Sequence, residues 1–539
     1  FAVASGHKFS YSENKGDRWK TADEAWIYGF FNVLWADDSL SVKSIDCENK
    51  TISTATKHYY GMLAGKPWYI YNLIEELDVP GEWYLESSTG NLYVYPKEDI
   101  KSCDIRLSTK TTPLLSFNGA TYISFHGITF EGTCGIGANI SDSNSITFDE
   151  CVFKNIGQQA MRITGKNNGI ANSHIYDIGK GGVYISGGNT ATLEHCNNYV
   201  ENCHIERFSL TTQTYAPAVK LYGIGDRVSH CRINNAAHMG IYFLGNDNTI
   251  EYNEIYNVLK FSNDMGAIYA GRDWTAGGTV IKYNYIHDCV GEDLRTDAVW
   301  HTQGIYFDDG LSGMTIYGNI FDGVNNGVFI HYGRSNRIEN NIFRNCKTAI
   351  VIKNKSGTKD TKGMYDENEK IQAAYKEGGI TATTVAELIK RNYVNKYLPN
   401  KALYEEKYPF LKTIMDDYPM FPKYNTIKNN AIIASEPYEI PESVTNDTPM
   451  EGNFETMEDM SYEAAAANIA GFENIDYKNA GTKAVESETV GDFKAVYPEN
   501  NSENVIADDL ILSWKAANGA NRYRLVVAED ADFEKIIYN

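Results

Sequence analysis

Four aspartates carry the chemistry that this sequence suggests. Within residues 261–334, Asp264 precedes the strand-like segment GAIYA, Asp273 follows it, and Asp308 and Asp309 follow the similar segment GIYF. Two carboxyl groups that face each other can divide acid and base work, because one protonates a leaving oxygen while the other acts as base or nucleophile, as glycoside hydrolysis requires. We therefore take these four residues as the candidate catalytic residues.

Strand spacing favours one pair among them. Ile268 and Ile305 occupy equivalent positions in the two segments. Asp308 stands three positions after its reference isoleucine and Asp264 four before its own, so a straight strand would separate them by roughly 20 Å at about 3.3 Å per residue. Asp273 stands five positions after its reference and is closer to Asp308 in register. Spacing alone thus favours Asp273 with Asp308.

The adjacent residues Asp308 and Asp309 indicate the position at which the strand ends. On a continuing strand they would point to opposite faces, and one carboxylate would be buried at high cost. We therefore expect the strand to end at Phe307, with both carboxylates in the groove or at a hydrogen-bonded bend. Close carboxylates raise the pKa of one of them, as a general acid requires. The alternative for one of the two is a turn role before Gly310.

Aromatic and polar side chains near the aspartates form the candidate substrate-binding set. Strand alternation places Tyr242, Tyr269 and Tyr306 on the face opposite the isoleucines, where outward rings would offer a platform for flat sugar rings. The alternative is that long loops cover these rings and merely pack them. Further candidates stand at the strand ends: Arg272, Trp274, His331, Arg334 and His238.

A sequence repeat provides the elements that would position these residues. From about residue 122, one pattern recurs, and its shortest steps are 22 or 23 residues, enough for three short strands and three bends. Such a step is one coil of a β-helix, and it places His331 in the register of Asp308 one coil on. Asparagines at the repeated position would stack as an amide ladder at a buried bend. The repeated positions are Ile128, Cys151, Ser173, Cys203, Cys231, Asn253, Asn284, Gly318, Asn340 and Asn430.

The predicted fold is all-β: a right-handed parallel β-helix of the pectin-lyase-like type. Residues 1–110 predict an N-terminal β-sandwich or cap, because an open solenoid end exposes core and strand edges. Residues 111–490 predict the β-helix, with a helical insertion at about 360–420 where Glu, Lys, Ala and Leu recur at helical spacing. Residues 495–539 predict the first part of a fibronectin type III-like sandwich.

Composition limits the class of partner. A net charge of −21 over 539 residues argues against nucleic acid and anionic membranes, since both bind basic surfaces. The nine cysteines fit neither a zinc pattern nor a disulfide framework, and buried stacked thiols are expected at Cys151, Cys203 and Cys231. No metal or other cofactor is expected. Calcium at the aspartates is the alternative, although no EF-hand-like spacing supports it.

The sequence resembles family 141 glycoside hydrolases in five separated motifs. They are GEWYLESSTGNLYVYP from Gly81, SNDMGAIYAGRDW from Ser262, GIYFDDG from Gly304, GVFIHYGRSNRIENNIF from Gly327 and YPFLKTIMDDYPMFP from Tyr408. The resemblance covers roughly residues 19–480. It implies a right-handed parallel β-helix with α-L-fucosidase or xylanase activity on plant polysaccharides, and it implies Asp264 with Asp308 or Asp309 as the catalytic pair. We favour this pair over the one that spacing favours.

Two other functions remain open from the sequence. One is a polysaccharide lyase on uronate-containing pectin, which would need a basic proton abstractor and usually calcium, whereas the aspartate-rich centre disfavours it. The other is a non-catalytic carbohydrate-binding solenoid. Both ends look cut, so we expect part of a larger multi-domain chain. Secretion by a bacterium is expected from the substrate class and the sandwich-like tail, and not from any signal segment in the sequence.

Overall fold

The computed structural model describes residues 2–12, 18–19, 24–103, 105–291, 301–354, 395–417 and 421–483, together with four short C-terminal strands. Its centre is the predicted right-handed parallel β-helix, in which each coil contributes one strand to each of three faces. Strands on a face pair in parallel with their equivalents one coil before and one coil after. Within these residues, no helix is long and apolar enough to cross a membrane.

We name the three faces by their order within a coil. The cleft face contains Leu115–Asn118, the first half of Ala138–Asp149, Met161–Lys166, Val183–Ser186, Val219–Leu221, Ile241–Phe243, Met265–Gly271, Thr302–Asp308, Asn326–His331, Thr348–Lys353 and Glu436–Glu439. The second face contains Thr121–His126, the second half of Ala138–Asp149, Gly169–Ala171, Tyr199–Glu201, Arg227–Ser229, Thr249–Glu251, Val280–Lys282, Thr315–Tyr317, Arg337–Glu339, Thr426–Lys428 and Met450–Glu451. The third face contains Thr129–Thr133, Val152–Ile156, His174–Ile178, His204–Glu206, Arg232–Asn234, Glu254–Tyr256, Tyr285–Cys289, Ile320–Val324, Ile342–Arg344, Ala431–Ile433 and Phe454–Thr456.

Alternation along each strand builds the interior. On the cleft face, Ile241, Ile268, Ile305 and Val328 pair in sequence across four coils, and all are fully buried. Because each branched side chain packs against the same position one coil away, removing one to alanine would cost about 2–5 kcal/mol. The predicted core face is therefore correct, and it turns the intervening side chains outward.

A ladder of asparagine side chains lies at the bend before the third face. In two coils the ladder residue is the one after the residue that was predicted. The side-chain oxygen of Asn319 accepts from the Asn284 amide N at 3.0 Å, and that of Asn341 accepts from the Asn319 amide N at 2.9 Å. Gly318 and Asn340, the predicted ladder residues, instead take the preceding bend with φ of 64° and 59°. The prediction was wrong there because the residue in the left-handed conformation turns the chain and its successor points inward.

The shift also decides which side chains of the next strand fill the interior. Phe321 and Phe343 are stacked in the interior, with ring centroids 4.8 Å apart. Ile320 and Ile342 point outward and are buried in a separate cluster against Ala465 of the helix Tyr462–Ala466. The C-terminal segment thus packs on the third face, and it also contains the 3-10 turn Tyr477–Asn479. The helix Glu442–Thr445 lies earlier, in the last coil between its cleft-face and second-face strands, and its Val444 packs on the main core.

The N-terminal region is an antiparallel sheet with a separate hairpin. The six strands lie in the order Ala2–Ser5, Lys8–Ser10, Thr51–Thr54, Asp38–Asp46, Trp26–Gly29 and Trp68–Tyr71. A two-stranded hairpin follows, Trp83–Glu86 with Asn91–Val94, and 3-10 turns lie at Ile74–Glu76 and Ile100–Ser102. The region attaches to the β-helix through Asp37, whose Oδ2 accepts a 2.7 Å hydrogen bond from the Gln213 amide N.

The helical insertion is described over residues 395–417. It contains the 3-10 turns Leu398–Asn400 and Pro409–Asp416 and the α-helix Lys401–Lys407, which pack on Trp274. The helical spacing expected before residue 395 falls outside the described residues. At the C-terminus, Lys494–Tyr497 pairs with Ser513–Lys515, and Val527–Ala528 pairs with Ile536–Tyr538, all antiparallel. The fibronectin type III-like assignment stays a prediction.

The cysteine positions agree with the expectation of buried thiols. Cys151, Cys203 and Cys231 stack in the interior, and Cys289 and Cys346 are also buried. None of the nine cysteines forms a disulfide. Burial raises the pKa of the Cys289 thiol to about 12, so it behaves as a small apolar side chain.

Candidate active site

A cleft of about 550 Å³ opens on the cleft face, and it gathers residues from six coils and from the N-terminal region. Of the predicted site residues, it is lined by Asp264, Tyr269, Arg272, Tyr306, Asp308, Asp309 and His331. The strand register explains why some of these residues meet in the cleft. One row across the coils contains Gly271, Asp308, His331 and Lys353.

Asp308 is the most strongly held side chain in the cleft. Its Oδ1 accepts from the Tyr306 hydroxyl at 3.0 Å, from His331 Nδ1 at 2.9 Å and from the Asp309 amide N at 2.8 Å. Its Oδ2 accepts from the Tyr269 hydroxyl at 2.9 Å. Burial raises the pKa of this carboxyl, but the hydrogen bonds from His331 and Tyr269 outweigh it, and the net pKa lies below the usual value. Asp308 is therefore the ionised carboxylate.

Asp264 shares the Tyr306 hydroxyl with Asp308. The hydroxyl oxygen lies 3.1 Å from Asp264 Oδ1, and that carboxyl remains exposed where it faces the open cleft. Burial by the cleft walls and the negative charge of Asp308 raise the pKa of Asp264. One hydroxyl has a single proton, so when it donates to Asp308 it can only accept from Asp264. Both hydrogen bonds of the Tyr306 hydroxyl can therefore form at once only when Asp264 carries a proton.

The two carboxyl oxygens are close together. Since the Tyr306 hydroxyl lies 3.1 Å from one and 3.0 Å from the other, they are separated by no more than about 6.1 Å. The roughly 20 Å expected for a straight strand does not apply, because the strand is not straight at this point. The chain bends at Asp264, where φ is 55°, so this residue does not continue the line of Met265–Gly271. The bend brings the carboxyl back over the strand face.

Asp309 is neutralised by its neighbours. Its Oδ2 accepts a 2.7 Å hydrogen bond from Arg272 Nε, and its Oδ1 accepts from the Tyr332 hydroxyl. The strand runs one residue further than predicted, to Asp308, and Asp309 then takes φ of 45°. That left-handed backbone costs about 1–3 kcal/mol in a non-glycine residue, and it turns the second carboxylate to the same cleft instead of the core.

The outward tyrosines pack together and do not form an open platform. Tyr242, Tyr269, Tyr306 and Phe329 occupy one row, with centroids 4.8–5.5 Å apart at inclined or edge-on angles. Tyr269 and Tyr306 are each only 3% exposed. Their ring faces are therefore closed to a sugar, and their hydroxyls hold Asp308 instead. Tyr242 lies one coil before Tyr269 in this row, against Tyr222.

Asp273 and Trp274 lie outside this cleft, beneath the helical insertion. Asp273 Oδ1 accepts from the Thr275 amide N at 2.9 Å, and its Oδ2 is 3.0 Å from Lys396 Nζ. Trp274 is buried in the apolar cluster with Tyr404. The spacing argument for Asp273 assumed a strand that continues past Gly271, whereas the chain turns away at Arg272, where φ is 70°.

Arg334 and His238 are also buried away from the cleft surface. Arg334 Nη2 lies 2.6 Å from Asp417 Oδ2, and its guanidinium stacks on Tyr424. His238 accepts a 3.2 Å hydrogen bond from the Tyr215 amide N, and burial lowers the pKa of His238 to about 3. These contacts make both residues supports of the fold around the cleft, and His238 holds the loop that places Tyr215 in it.

Several cleft residues were missed by the sequence reasoning. Trp35 comes from the N-terminal region, and no local signal connects it to the cleft. His301, Lys347 and Lys353 also line the cleft, and Lys353 pairs with Glu439. Burial and the charges of the two lysines lower the pKa of His301 to about 4. Lys353 follows His331 in the repeat register, so the register could have found it.

One group in the cleft offers metal ligands. Single ligand atoms of Asp308, Asp309 and His331 lie within 4.8 Å of one another. Calcium prefers six to eight oxygen ligands, whereas this set includes an imidazole and lies beside the Arg272 cation. The donor set fits calcium poorly, and the need for a cofactor stays a question for experiment.

Comparison with known proteins supports the fold. The sequence profile described as "Right handed beta helix region" matches residues 114–215 and 217–385, just over half of the chain. No curated protein matches the sequence significantly. A solved structure described as "Glycoside hydrolase" is similar with a TM-score of 0.50 and 15% identity, over 64% of this chain and 74% of that one.

Two further solved structures are more distant. One is described as "The complex structure of XylC with xylose", with a TM-score of 0.31 and 12% identity over 79% of this chain and 67% of that one. The other is the Azotobacter vinelandii mannuronan C-5 epimerase AlgE6 A-module, with a TM-score of 0.26 and 9% identity over 63% of this chain and 91% of that one. Similarity at these identities concerns the fold alone. With the profile match and the three-faced solenoid together, the chain belongs to the right-handed β-helix family.

Proposed function

We propose that this protein is a glycoside hydrolase in which Asp264 is the general acid and Asp308 the nucleophile. The observation that carries the proposal is the shared Tyr306 hydroxyl between two carboxyls whose pKa values are shifted in opposite directions. Such a separation of pKa values assigns the acid and base roles. The resemblance to family 141 glycoside hydrolases and the fold shared with a structure described as a glycoside hydrolase support the same reaction class.

The short carboxyl separation favours a retaining mechanism. Retaining enzymes place the two carboxyl groups about 5–5.5 Å apart, whereas inverting enzymes leave about 6.5–9.5 Å for a water molecule. Asp264 would protonate the glycosidic oxygen as the bond to the anomeric carbon breaks, and Asp308 would form an ester with that carbon. In the second step, Asp264 would take a proton from water, whose oxygen attacks the anomeric carbon and releases Asp308.

The proposed substrates are neutral plant cell-wall glycans that contain xylose or fucose, and the proposed location is extracellular. Both follow from the family resemblance. The test uses aryl xylosides, aryl fucosides and xylan with the Asp264→Asn and Asp308→Asn variants. Each variant is expected to lose about 10²–10⁴-fold in kcat. The control is Asp288→Asn, an exposed carboxyl on the third face, which should keep the activity of the parent protein.

Product stereochemistry tests the mechanism. Proton NMR of the first product is expected to show the anomer of the substrate. The opposite anomer would refute Asp308 as nucleophile, and full activity in either aspartate variant would refute the pair. Bound glycan without turnover in the parent protein would instead support a non-catalytic carbohydrate-binding solenoid.

A polysaccharide lyase is the second candidate, because Lys347 and Lys353 line the cleft and suit a uronate carboxylate. A lyase removes the proton beside that carboxylate and leaves a carbon–carbon double bond in the product. Incubation with polygalacturonate and measurement of ultraviolet absorbance distinguishes the two, since only the lyase product absorbs as an unsaturated uronate.

A further inference from the structure

A second aromatic surface lies on the N-terminal sheet, away from the cleft. Cross-strand register pairs Trp26 with Tyr71 and Tyr28 with Tyr69, so all four rings project from one face of two neighbouring strands. The opposite face, with Ile27 and its neighbours, packs into the N-terminal core. Trp26 is 41% exposed and Tyr69 is 55% exposed. Unlike the closed tyrosine row of the β-helix, the rings of Trp26, Tyr69 and Tyr71 are open to solvent, and only Tyr28 is buried.

The hairpin Trp83–Glu86 with Asn91–Val94 forms the other wall, and a groove of about 690 Å³ lies between. Trp83, on this wall, is 62% exposed. The groove is held open by polar contacts behind it. Asn72 Oδ1 accepts a 3.1 Å hydrogen bond from the Leu85 amide N, and Asn72 Nδ2 donates to the Glu24 carbonyl at 2.9 Å. The wall is therefore preformed.

The side chains that line the groove indicate the chemistry of its ligand. Indole and phenol rings stack on the C–H faces of sugars and keep polar edges for hydroxyl groups. The charged residues that line the groove are acidic: Glu82 accepts from the Val79 amide N at 2.8 Å, and Glu76 accepts from Trp19 Nε1 at 2.8 Å and pairs with Arg18 Nη2 at 2.8 Å. The charge of Glu82 and the charge of −21 on the whole protein disfavour an anionic chain. The occupant that fits is a neutral polysaccharide.

The aromatic surface is connected to the cleft. The Tyr28 hydroxyl, at one end of the aromatic face, donates to Asp37, and Asp37 fixes Thr214 of the β-helix. The residues that flank these two contacts, Trp35 and Tyr215, both line the cleft. A glycan chain held on the sheet would thus be kept close to the cleft.

We propose that the groove between Trp26, Tyr69 and Trp83 is a binding site for a neutral polysaccharide chain, separate from the catalytic cleft. Binding there is independent of hydrolysis, whereas any gain in turnover on polymers rests on the proposed function. A groove of this volume and composition is within the range of ligand sites. Its exposed apolar patch is of the kind that marks a binding surface.

The test is native affinity electrophoresis in gels that contain arabinoxylan, xylan or polygalacturonate. All variants carry Asp308→Asn, so that the polymer is not cut. Trp83→Ala and Tyr69→Ala are each expected to weaken retardation by the neutral polymers about tenfold, and polygalacturonate should retard none of the proteins. The matched control is Tyr122→Ala, which removes an even more exposed ring from the β-helix and should keep full retardation.

Two results would overturn the proposal. One is equal retardation of Trp83→Ala, Tyr69→Ala and the control, and the other is a dimer in light scattering that Trp83→Ala converts to a monomer, since the groove would then be a subunit interface. The proposed function fails separately: unchanged aryl glycoside hydrolysis in Asp308→Asn refutes the catalytic assignment and leaves polymer binding as measured.

Discussion

Replacing Tyr306 with phenylalanine removes one hydroxyl and keeps the ring that packs between Tyr269 and Phe329. Asp308 then loses one of its four hydrogen bonds. A hydrogen bond to a charged group contributes about 1.5–3 kcal/mol. The ionised form of Asp308 is therefore expected to lose about that much stabilisation in Tyr306→Phe, which raises the pKa of Asp308.

The direction of the pH effect follows from the role of each carboxyl. Activity needs ionised Asp308 and protonated Asp264, so it falls at low pH as Asp308 gains a proton and at high pH as Asp264 loses one. The lost donor to the charged form of Asp308 moves the acidic limb of kcat/KM to higher pH. The melting temperature should fall only by the effect of that one hydrogen bond, because the buried ring volume is retained.

The assay is the pH profile of kcat/KM on an aryl glycoside for the parent protein and Tyr306→Phe. Tyr242→Phe is the matched control, since Tyr242 belongs to the same row but lies outside the cleft, and its acidic limb should stay in place. An acidic limb that does not move in Tyr306→Phe would refute the proton arrangement proposed between the two carboxyls.

Three further substitutions test the framework. Asp226→Asn should raise the free energy of unfolding at pH 8 by about 1–3 kcal/mol in urea titrations. Burial raises the pKa of Asp226 to about 6, so the folded state loses stability as this carboxyl ionises with rising pH. An amide cannot ionise, so the variant does not lose this stability. Asn319→Ala should lower the unfolding free energy by about 2–3 kcal/mol at constant activity, because the Asn284 amide N loses its buried acceptor; an unchanged urea midpoint would contradict the ladder. Arg334→Met should lower the melting temperature with kcat retained, since Arg334 contacts Asp417 and not the cleft, and a selective loss of kcat would place it in the site after all.

The fold was predictable because the coil length is written in the sequence as a repeated step. The predicted ladder failed by one residue only where two suitable residues are adjacent, at Gly318 with Asn319 and at Asn340 with Asn341. The choice between them depends on which one adopts a positive φ, and residue type alone does not decide this when either neighbour tolerates it.

The site was less predictable than the fold. Register along straight strands correctly placed His331 beside Asp308 and wrongly favoured Asp273, because the chain bends at Asp264 and at Arg272. The resemblance favoured Asp264 with Asp308, and these are the two carboxyls that meet at one tyrosine hydroxyl.

The repeat could not predict cleft residues that come from distant parts of the chain. Trp35 enters the cleft through contacts between separate regions, and Lys347 shows its position only once the coils are stacked. The solvent exposure of the outward tyrosines could not be predicted either, since strand alternation gives the direction of a side chain but not how closely neighbouring rings cover it.

The row that contains Asp308, His331 and Lys353 has an evolutionary consequence. Each of these residues belongs to a different turn of the solenoid, and each turn meets its neighbours through equivalent backbone ladders. Duplication or loss of one whole turn would leave the scaffold intact while it moves a new side chain next to Asp308. The lining of the cleft can therefore change by exchange of entire turns, without a single substitution at Asp264 or Asp308.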